Sequence, residues 1–303
     1  MTDFSKQILE KYQVRKTKKQ KTEFINFFTS NFCDAVVENA GFPKSRNIIV
    51  GSIEKADIVL TAHYDTCAVF PFPNFLTPKN LIIYLLYNMV IIGLFFGISV
   101  IAEILIGFIT NSFWIRYFSF FVVYFALLYF LIFGKANKHT ANDNTSGVIT
   151  LCEIMALLND EQKKKTAFVF FDNEEIGLLG SQVFRKMHKK EIDNKLVVNF
   201  DCVSDGDNIM LIFNKNAEKS SYEKFDMAFS EFKDKNIILD KSSTTFYPSD
   251  QICFKKSIAV AVFKKNKILG LYLNRIHTNR DVVFDEKNIE CISKGIKNFI
   301  GSV

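Results

Sequence analysis

The sequence has no Cys-x-x-Cys pair, no apolar N-terminal segment, no low-complexity linker and no internal repeat. Its six cysteines are scattered along the chain, so we expect free thiols in a reducing compartment and not disulfide bonds. The first residues, MTDFSKQILEKYQ, lack the apolar core of a signal peptide. The net charge is +6, and no Arg and Lys stripe with interleaved aromatic residues is present, so we expect no nucleic-acid partner.

The most basic tract of the chain is RKTKKQK, which runs from Arg15 to Lys21. It lies within residues 4–32, where apolar side chains recur at helical spacings and predict helix. We expect the tract to form a solvated helix face, and contact with anionic lipid is the alternative.

Two long apolar segments are the most unusual feature of the chain. Residues 80–109 contain one charged side chain, Glu103, and residues 113–134 contain one, Arg116. Each segment is long enough to cross a hydrocarbon core of roughly 30 Å at about 1.5 Å per residue. We therefore predict a transmembrane helical hairpin over residues 80–134. The alternative is a hydrophobic hairpin buried in a soluble core.

The short connection between the two segments returns both ends of the hairpin to the same side of the membrane. Cations are more frequent at its base than at its tip, and the base carries Lys79, Lys135 and Lys138. The positive-inside rule then predicts a multi-pass protein whose main domain is cytoplasmic. Gly93 and Gly97 form a G-x-x-x-G pattern, which predicts close approach of the two helices.

Outside the hairpin, apolar strand-like runs alternate with helix-like segments. Predicted strands are 47–50, 57–62, 167–171, 196–200, 208–213 and 258–263, and predicted helices are 147–158, 181–188, 222–232 and 286–300. This alternation is typical of an α/β fold with a mostly parallel, mixed central sheet and helices on both faces, here interrupted by the two-helix hairpin. The main domain would be discontinuous, over 1–75 and 135–303.

Four polar clusters lie at the ends of predicted strands, which is where open α/β sheets place their sites, and a fifth lies near the C-terminus. In chain order they are T-A-H-Y-D-T, A-N-D-N-T-S-G, F-F-D-N-E-E-I-G-L-L-G-S, N-F-D and I-H-T-N-R-D. Each cluster alone has an ordinary explanation as a turn or a helix cap. Together they supply the imidazole and carboxylate groups that suit zinc, and enough acids for one to bridge two ions and another to act as a base. The candidates are His63, Asp65, Asp143, Glu174, Glu175, Asp201 and His277.

In this order the motifs resemble the M28 family of zinc peptidases, and Y-P-S-D-Q-I-C-F at residues 247–254 resembles a further stretch of that family. The resemblance covers residues 12–66 and 139–300. It departs from the family at Gln251, where many members have His, and at the hairpin, where relatives have a short loop. It implies a metallo-exopeptidase, a zinc-dependent aminopeptidase that holds two Zn²⁺ or other divalent ions.

The resemblance also implies the metal ligands. Asp143 would bridge both ions and would be followed by a non-proline cis peptide bond. His63 and Asp201 would complete one metal site, and Glu175 and His277 would complete the other.

The remaining candidates would act in catalysis. Glu174 would be the general base that takes a proton from the zinc-activated water, and Asp65 would orient the His63 ring. Tyr247 is a weaker candidate for hydrogen bonding the oxyanion. The substrate would be a peptide with a free N-terminus, cleaved close to the bilayer surface, because at most about 30 Å of extended chain separates the hairpin from Asp143.

Two other functions are compatible with the same motifs. A glutaminyl cyclase-like aminoacyltransferase would use one zinc ion on the same scaffold. A catalytically inactive, membrane-tethered scaffold would have lost metal ligands, whereas this chain keeps all of those that the resemblance implies.

Overall fold

The computed structural model describes residues 1–302 of the chain. Its helices are α1 (Asp3–Lys11), α2 (Lys18–Asn31), α3 (Leu81–Gly107), α4 (Phe113–Phe133), α5 (Gly147–Leu157), α6 (Asp160–Lys164), α7 (Leu179–Met187), α8 (Lys189–Ile192), α9 (Lys215–Phe229) and α10 (Glu286–Gly301). Its strands are β1 (Val36–Ala40), β2 (Ser45–Val50), β3 (Ile58–His63), β4 (Thr166–Phe171), β5 (Leu196–Phe200), β6 (Asn208–Phe213), β7 (Asn236–Lys241), β8 (Ser257–Asn266) and β9 (Gly270–Tyr272). Short helical turns occupy Ala141–Ser146 and Asp250–Cys253.

The strands form one mixed sheet in the order β1-β2-β4-β3-β5-β8-β6-β7, with β9 paired to β8. The central neighbours β4, β3, β5 and β8 are parallel. Strands β2 and β6 flank them in antiparallel orientation. The predicted α/β class is therefore confirmed, and the carboxyl ends of the central strands meet at one edge of the sheet.

The central strands read as continuous apolar runs because both of their faces are covered. In β3, Ile58, Leu60 and Ala62 face the larger apolar layer, which includes residues of α1, α2, α5, α9 and α10. Val59 faces a smaller layer that it shares with Phe184 of α7. Helices thus lie on both faces of the sheet, as predicted.

The N-terminal region differs from the single helical region predicted over residues 4–32. It forms two helices, and Thr17 begins the second one with a capping box in which Thr17 and Gln20 exchange side-chain and backbone hydrogen bonds. Strands β1 and β7 were not predicted because they are edge strands with half-exposed, mixed polar sequences. An edge strand lacks the apolar run that made the central strands recognisable.

The predicted hairpin is formed by α3 and α4. Within residues 1–302, these are the helices long and apolar enough to cross a membrane. In its most apolar window α3 is 11% buried and α4 is 0% buried, which does not fit the alternative of a hairpin inside a soluble core. The two charges of the hairpin pair with each other, because Arg116 Nη2 lies 2.5 Å from Glu103 Oε1.

The prediction that Gly93 and Gly97 allow close helix approach is wrong for this hairpin. Apart from the adjoining backbone of α3 itself, a Cβ atom added at either glycine would meet no atom of the described residues within 4 Å. The two helices contact each other through other positions, including the rings of Phe96 and Phe120, whose centroids are 5.1 Å apart.

Gly147, in contrast, lies where two parts of the chain approach closely. An added Cβ would clash with Asn144 Oδ1 and with the Phe200 carbonyl oxygen at the end of β5. We predict that Gly147→Ala lowers the free energy of unfolding by about 2 kcal/mol or more, since neither oxygen can easily move. Denaturant unfolding in detergent measures this, with Gly97→Ala as the matched control. Equal stability of the two variants would contradict this account.

Candidate metal centre

The sheet brings most of the predicted site residues to one edge. His63 is the last residue of β3 and is paired with Phe171 at the end of β4. Glu174 and Glu175 follow β4, and Asp201 follows β5 directly. Because these strands are parallel neighbours, residues distant in sequence converge at their carboxyl ends.

Asp143 and His277 reach the same place from loops. Asp143 lies in the helical turn before α5, and its peptide bond to Asn144 is cis, as the resemblance implied. The Asp281 carboxylate accepts the backbone N–H groups of Asn142 and Asp143 at 2.8 and 3.0 Å. Asp281 belongs to the I-H-T-N-R-D motif, but no role was predicted for it.

The five predicted ligands form two pairs around Asp143. His63 Nε2 lies 3.4 Å from Asp143 Oδ1 and 3.6 Å from Asp201 Oδ1. His277 Nε2 lies 3.0 Å from Asp143 Oδ2 and 3.2 Å from Glu175 Oε2. The two oxygens of one carboxylate therefore face two different His–carboxylate pairs.

Asp65 holds the two glutamates more directly than it holds the imidazole. Its carboxylate accepts the backbone N–H groups of Glu174 at 3.0 Å and Glu175 at 3.3 Å. His63 Nδ1 lies 3.1 Å from the Asp65 backbone oxygen and 3.6 Å from its carboxylate. The Asp65 main chain thus orients the His63 ring, while the Asp65 side chain orients the turn after β4 that carries the two glutamates.

Glu174 lies beside one of the two pairs. Its carboxylate, His63 and Asp201 each offer a ligand atom within 4.8 Å of the other two. Burial raises the pKa of Glu174 well above its usual range, and Glu175 and Asp250 raise it further, against the lowering effect of His63. A carboxylate with a raised pKa is suited to accepting a proton.

The Tyr247 hydroxyl is engaged in this structure. It donates a hydrogen bond of 3.0 Å to the backbone carbonyl of Asp201, and the residue is 8% exposed. Tyr247 therefore supports the strand end that carries Asp201, which is the core role that a buried tyrosine ordinarily has.

The protonation behaviour of the acids fits a site for cations. Burial and the Asp143 carboxylate raise the pKa of Glu175 to about 8, although His277 opposes them. Burial lowers the pKa of His277, but Glu175 and Asp143 outweigh it and raise that pKa to about 9. Like charges this close favour protons or metal ions over bare carboxylates.

Unpartnered atoms support the same conclusion. In the described part of the chain, buried Glu175 Oε1 and Asp201 Oδ1 have no hydrogen-bond partner. Buried polar atoms are normally paired, so free oxygens that converge with imidazole nitrogens have the chemistry of metal ligands. The residues present therefore fit divalent cations.

Two cysteines also border the centre. Cys67 Sγ lies within 4.8 Å of ligand atoms of Glu175 and His277, and Cys202 Sγ lies equally close to Asp143 and Asp201. Both were predicted only to be free thiols. Their places directly after H-Y-D-T and N-F-D were the available signal.

The prediction of a solvated basic face is wrong for Arg15. Its side chain is 0% exposed and donates hydrogen bonds to the backbone oxygens of Tyr64 and Tyr12. It also lies 3.2 Å from Thr145 Oγ1, two residues beyond Asp143. A guanidinium buried this close to Asp143 offsets part of the negative charge of the centre.

The prediction is also wrong for Lys21, whereas Lys19 on the same helix is exposed as expected. Lys21 Nζ lies 2.5 Å from Asp172 Oδ1, 2.7 Å from Asn173 Oδ1 and 4.0 Å from Asp65 Oδ2. The Lys21 ammonium links two parts of the centre. One is the Asp65 carboxylate, which orients the two glutamates, and the other is the turn that carries them. No pattern in the basic tract distinguished it from its solvated neighbours.

A sequence model described as "Peptidase family M28" matches residues 129–298, which is more than half of the chain. The chain belongs to peptidase family M28. A comparison with curated proteins gave no match. Membership in this family agrees with the motif order and with the convergence of the candidate ligands.

Solved structures share the fold of this M28 protein. The LapA aminopeptidase of Legionella pneumophila has a TM-score of 0.57 and 14% identity, over 98% of this chain and 67% of that chain. A Zn-dependent exopeptidase of Parabacteroides distasonis has a TM-score of 0.57 and 14% identity, over 98% and 94%. The glutaminyl cyclase of Porphyromonas gingivalis has a TM-score of 0.59 and 13% identity, over 99% and 97%. At these identities the three structures establish the common fold alone.

We predict that Lys21→Met weakens zinc binding by roughly 10- to 100-fold, because the variant removes the cation that fixes Asp65 and the Glu174–Glu175 turn. Competition with a chromogenic chelator measures the affinity without any assay of activity. Lys19→Met is the control on the solvent face of the same helix. A positioning role requires partial rescue by Lys21→Arg, and unchanged zinc affinity in Lys21→Met would disprove it.

Proposed function

We propose that this M28 protein is a membrane-anchored zinc aminopeptidase that removes N-terminal residues from peptides. The observation that carries the proposal is the arrangement around Asp143, whose two oxygens each face a separate His–carboxylate pair. Such an arrangement suits two divalent ions that share one carboxylate.

In this proposal His63 and Asp201 would hold one zinc ion, Glu175 and His277 would hold the other, and Asp143 would serve both. Zinc bound there would supply Lewis-acid activation of water and of the scissile carbonyl. These carboxylates also offset the charge of two divalent ions.

Glu174 is the general base. It takes a proton from the attacking water and returns it to the leaving amine, which its raised pKa favours. Asp65 keeps Glu174 in place through the backbone hydrogen bond of 3.0 Å. Tyr247 serves the oxyanion only if its hydroxyl leaves the Asp201 carbonyl, so its contribution is secondary.

Specificity for the chain end follows from charge. In this proposal the substrate's N-terminal ammonium binds beside the metals, where the carboxylates of Asp143, Glu174, Glu175 and Asp201 outnumber the imidazoles of His63 and His277. A peptide without a free N-terminus lacks the cation that this region attracts.

A glutaminyl cyclase is the second candidate because its fold is shared over nearly the full length of both chains. A cyclase of this kind would use one zinc ion. The presence of two separate His–carboxylate pairs favours the hydrolase.

The hairpin of residues 80–134 is proposed to insert into the bilayer, with residues 1–75 and 135–303 forming the catalytic domain. Support comes from the low burial of α3 and α4 and from the mutual pairing of their only two charges. The larger number of cations at the hairpin base favours a cytoplasmic catalytic domain.

Glu174→Gln tests the catalytic assignment. We expect two zinc ions per chain in both wild type and variant, and a loss of aminopeptidase turnover of roughly 1000-fold in the variant, because only the proton acceptor is removed. Elemental analysis gives the metal content, and a panel of aminoacyl-amide substrates gives the activity. Glu161→Gln, at an exposed glutamate of α6, is the matched control.

Three results would contradict these assignments. Retained turnover in Glu174→Gln would remove the general base. One zinc ion per chain, together with cyclisation of N-terminal glutamine, would replace the hydrolase with the cyclase. Metal-free wild-type protein that has no activity would support an inactive scaffold.

The orientation is tested at Cys33, which is an exposed thiol of the catalytic domain. We expect a membrane-impermeant maleimide to label Cys33 in inverted vesicles but not in intact cells, because the domain is proposed to be cytoplasmic. Cys33→Ser is the control for labelling at other thiols. Labelling of intact cells that Cys33→Ser abolishes would reverse the topology.

A further inference from the structure

The segment Phe70–Phe75, with sequence FPFPNF, connects the metal centre to the hairpin. It lies in an uncharged stretch from Thr66 to Pro78. Pro71 and Pro73 are exposed, and neither has a backbone N–H to satisfy. This composition of aromatic residues and prolines is unusual for a loop beside a charged centre.

An aromatic series runs from a candidate ligand to the middle of α3. The backbone N–H of Phe70 donates a 2.6 Å hydrogen bond to the His277 carbonyl, and their rings pack edge to face at 5.0 Å. The Phe72 ring centroid lies 5.7 Å from that of Phe70 and 6.3 Å from that of Phe95. Phe95 is about 21 Å along the helix axis from Leu81, at about 1.5 Å per residue.

A second set of contacts holds the C-terminal half of the segment against α3. The Tyr87 hydroxyl donates a hydrogen bond to the Pro73 carbonyl. The ring of Phe75 packs on that of Tyr87 at 5.3 Å. The segment therefore follows the first half of a helix whose outer surface is apolar and exposed.

The other helix of the hairpin also ends at the centre. Lys16 Nζ donates a 2.5 Å hydrogen bond to the Ile132 carbonyl in the last turn of α4. Lys16 directly follows Arg15, whose side chain lies 3.2 Å from Thr145 Oγ1, two residues beyond Asp143. Both helices thus flank the centre, and a bilayer around the hairpin would adjoin it.

We propose that Phe70–Phe75 reaches from the headgroup level into the near leaflet alongside α3 and forms the lipid-facing wall of the metal centre, so that the enzyme prefers peptides whose N-terminus lies at the bilayer surface. This proposal rests on the proposed peptidase activity and hairpin insertion. Aromatic rings favour the membrane–water interface. Irregular backbone is tolerated near hydrocarbon only where its polar groups are satisfied, which the two prolines and the Tyr87 hydroxyl help to achieve here.

The single tryptophan of the chain makes the location measurable. Trp114 lies in the first turn of α4, at the hairpin tip. In a Trp114→Phe background, Phe72→Trp places the only indole in the segment, and Phe75→Trp repeats the measurement at a second position. Glu161→Trp is the control, because α6 precedes β4 at the sheet edge opposite the centre.

Each protein is reconstituted in phosphatidylcholine vesicles whose acyl chains are brominated, close to the headgroup in one preparation and deeper in a second. We expect strong quenching and blue-shifted emission for Phe72→Trp and Phe75→Trp, and neither effect for Glu161→Trp. Quenching of Trp114 in the wild-type chain reports hairpin insertion separately. If Trp114 is quenched while both segment variants behave like the control, the proposal is overturned and the anchor remains. If Trp114 is not quenched, insertion fails and the proposal fails with it.

The substrate class is tested with one peptide in two forms, free in solution or held in the vesicles by a C-terminal acyl chain. We expect wild-type kcat/KM to be at least about tenfold higher for the anchored form, since shared attachment raises effective concentration, and we expect Phe72→Ser to reduce this ratio. Equal rates for both forms would reject the substrate class but keep the peptidase. Hydrolysis of neither form would reject the proposed function itself.

Discussion

At the carboxyl ends of β3, β4 and β5, carboxylates and imidazoles lie within about one hydrogen-bond length of one another, and this crowding of charge constrains everything around it. Asp143 is 3.0 Å from His277 and 3.4 Å from His63. Without neighbouring cations, buried acids this close together would repel one another and take up protons. The fold compensates with two buried cations, Arg15 and Lys21. It also leaves carboxylate oxygens without partners, which are therefore free to bind metal ions. Helix α2 and the turn before it, which are remote in sequence from the strand ends, therefore contribute to the electrostatics of the centre.

The backbone around the centre is constrained in the same way. Among residues 1–302, the non-glycine positions with positive φ are Asn173, Leu178, Cys202 and His277. Asn173 directly precedes the two glutamates, Cys202 directly follows Asp201, and His277 is itself a candidate ligand. Left-handed backbone is unfavourable for residues with a side chain. Several such residues close together are typical of functional sites. Hydrogen bonds to Asp65 and Lys21 hold the β4 turn in this conformation.

The central strands could be predicted because their signals are local. A buried parallel strand is an apolar run, and the residue that follows it has to lie at the sheet edge, so H-Y-D-T and N-F-D place His63 and Asp201 at that edge. Their assignment as candidate ligands came instead from the order of all five motifs and its resemblance to the M28 family. Lys21 and Arg15 could not be predicted in this way. Their burial depends on where α2 and the turn before it pack against the sheet, and their sequence neighbours are solvated lysines. The prediction for Gly93 and Gly97 was wrong for a related reason. The spacing of two glycines does not determine which face of a helix contacts the neighbouring helix.

The insertion between the first His motif and Asp143 leaves the centre intact because its two ends are joined before the hairpin begins. Ala68 pairs with Ala136, and the Val69 N–H donates to the Lys135 carbonyl at 2.9 Å. Only beyond this short ladder does the chain enter the aromatic segment and then α3. A displacement of the hairpin would therefore reach the backbone of His277 through Phe70 before it could separate the strands that carry the candidate ligands. The joined ends protect the distances among these residues, whereas the Phe70–His277 contact links one candidate ligand to the segment that leads to the hairpin.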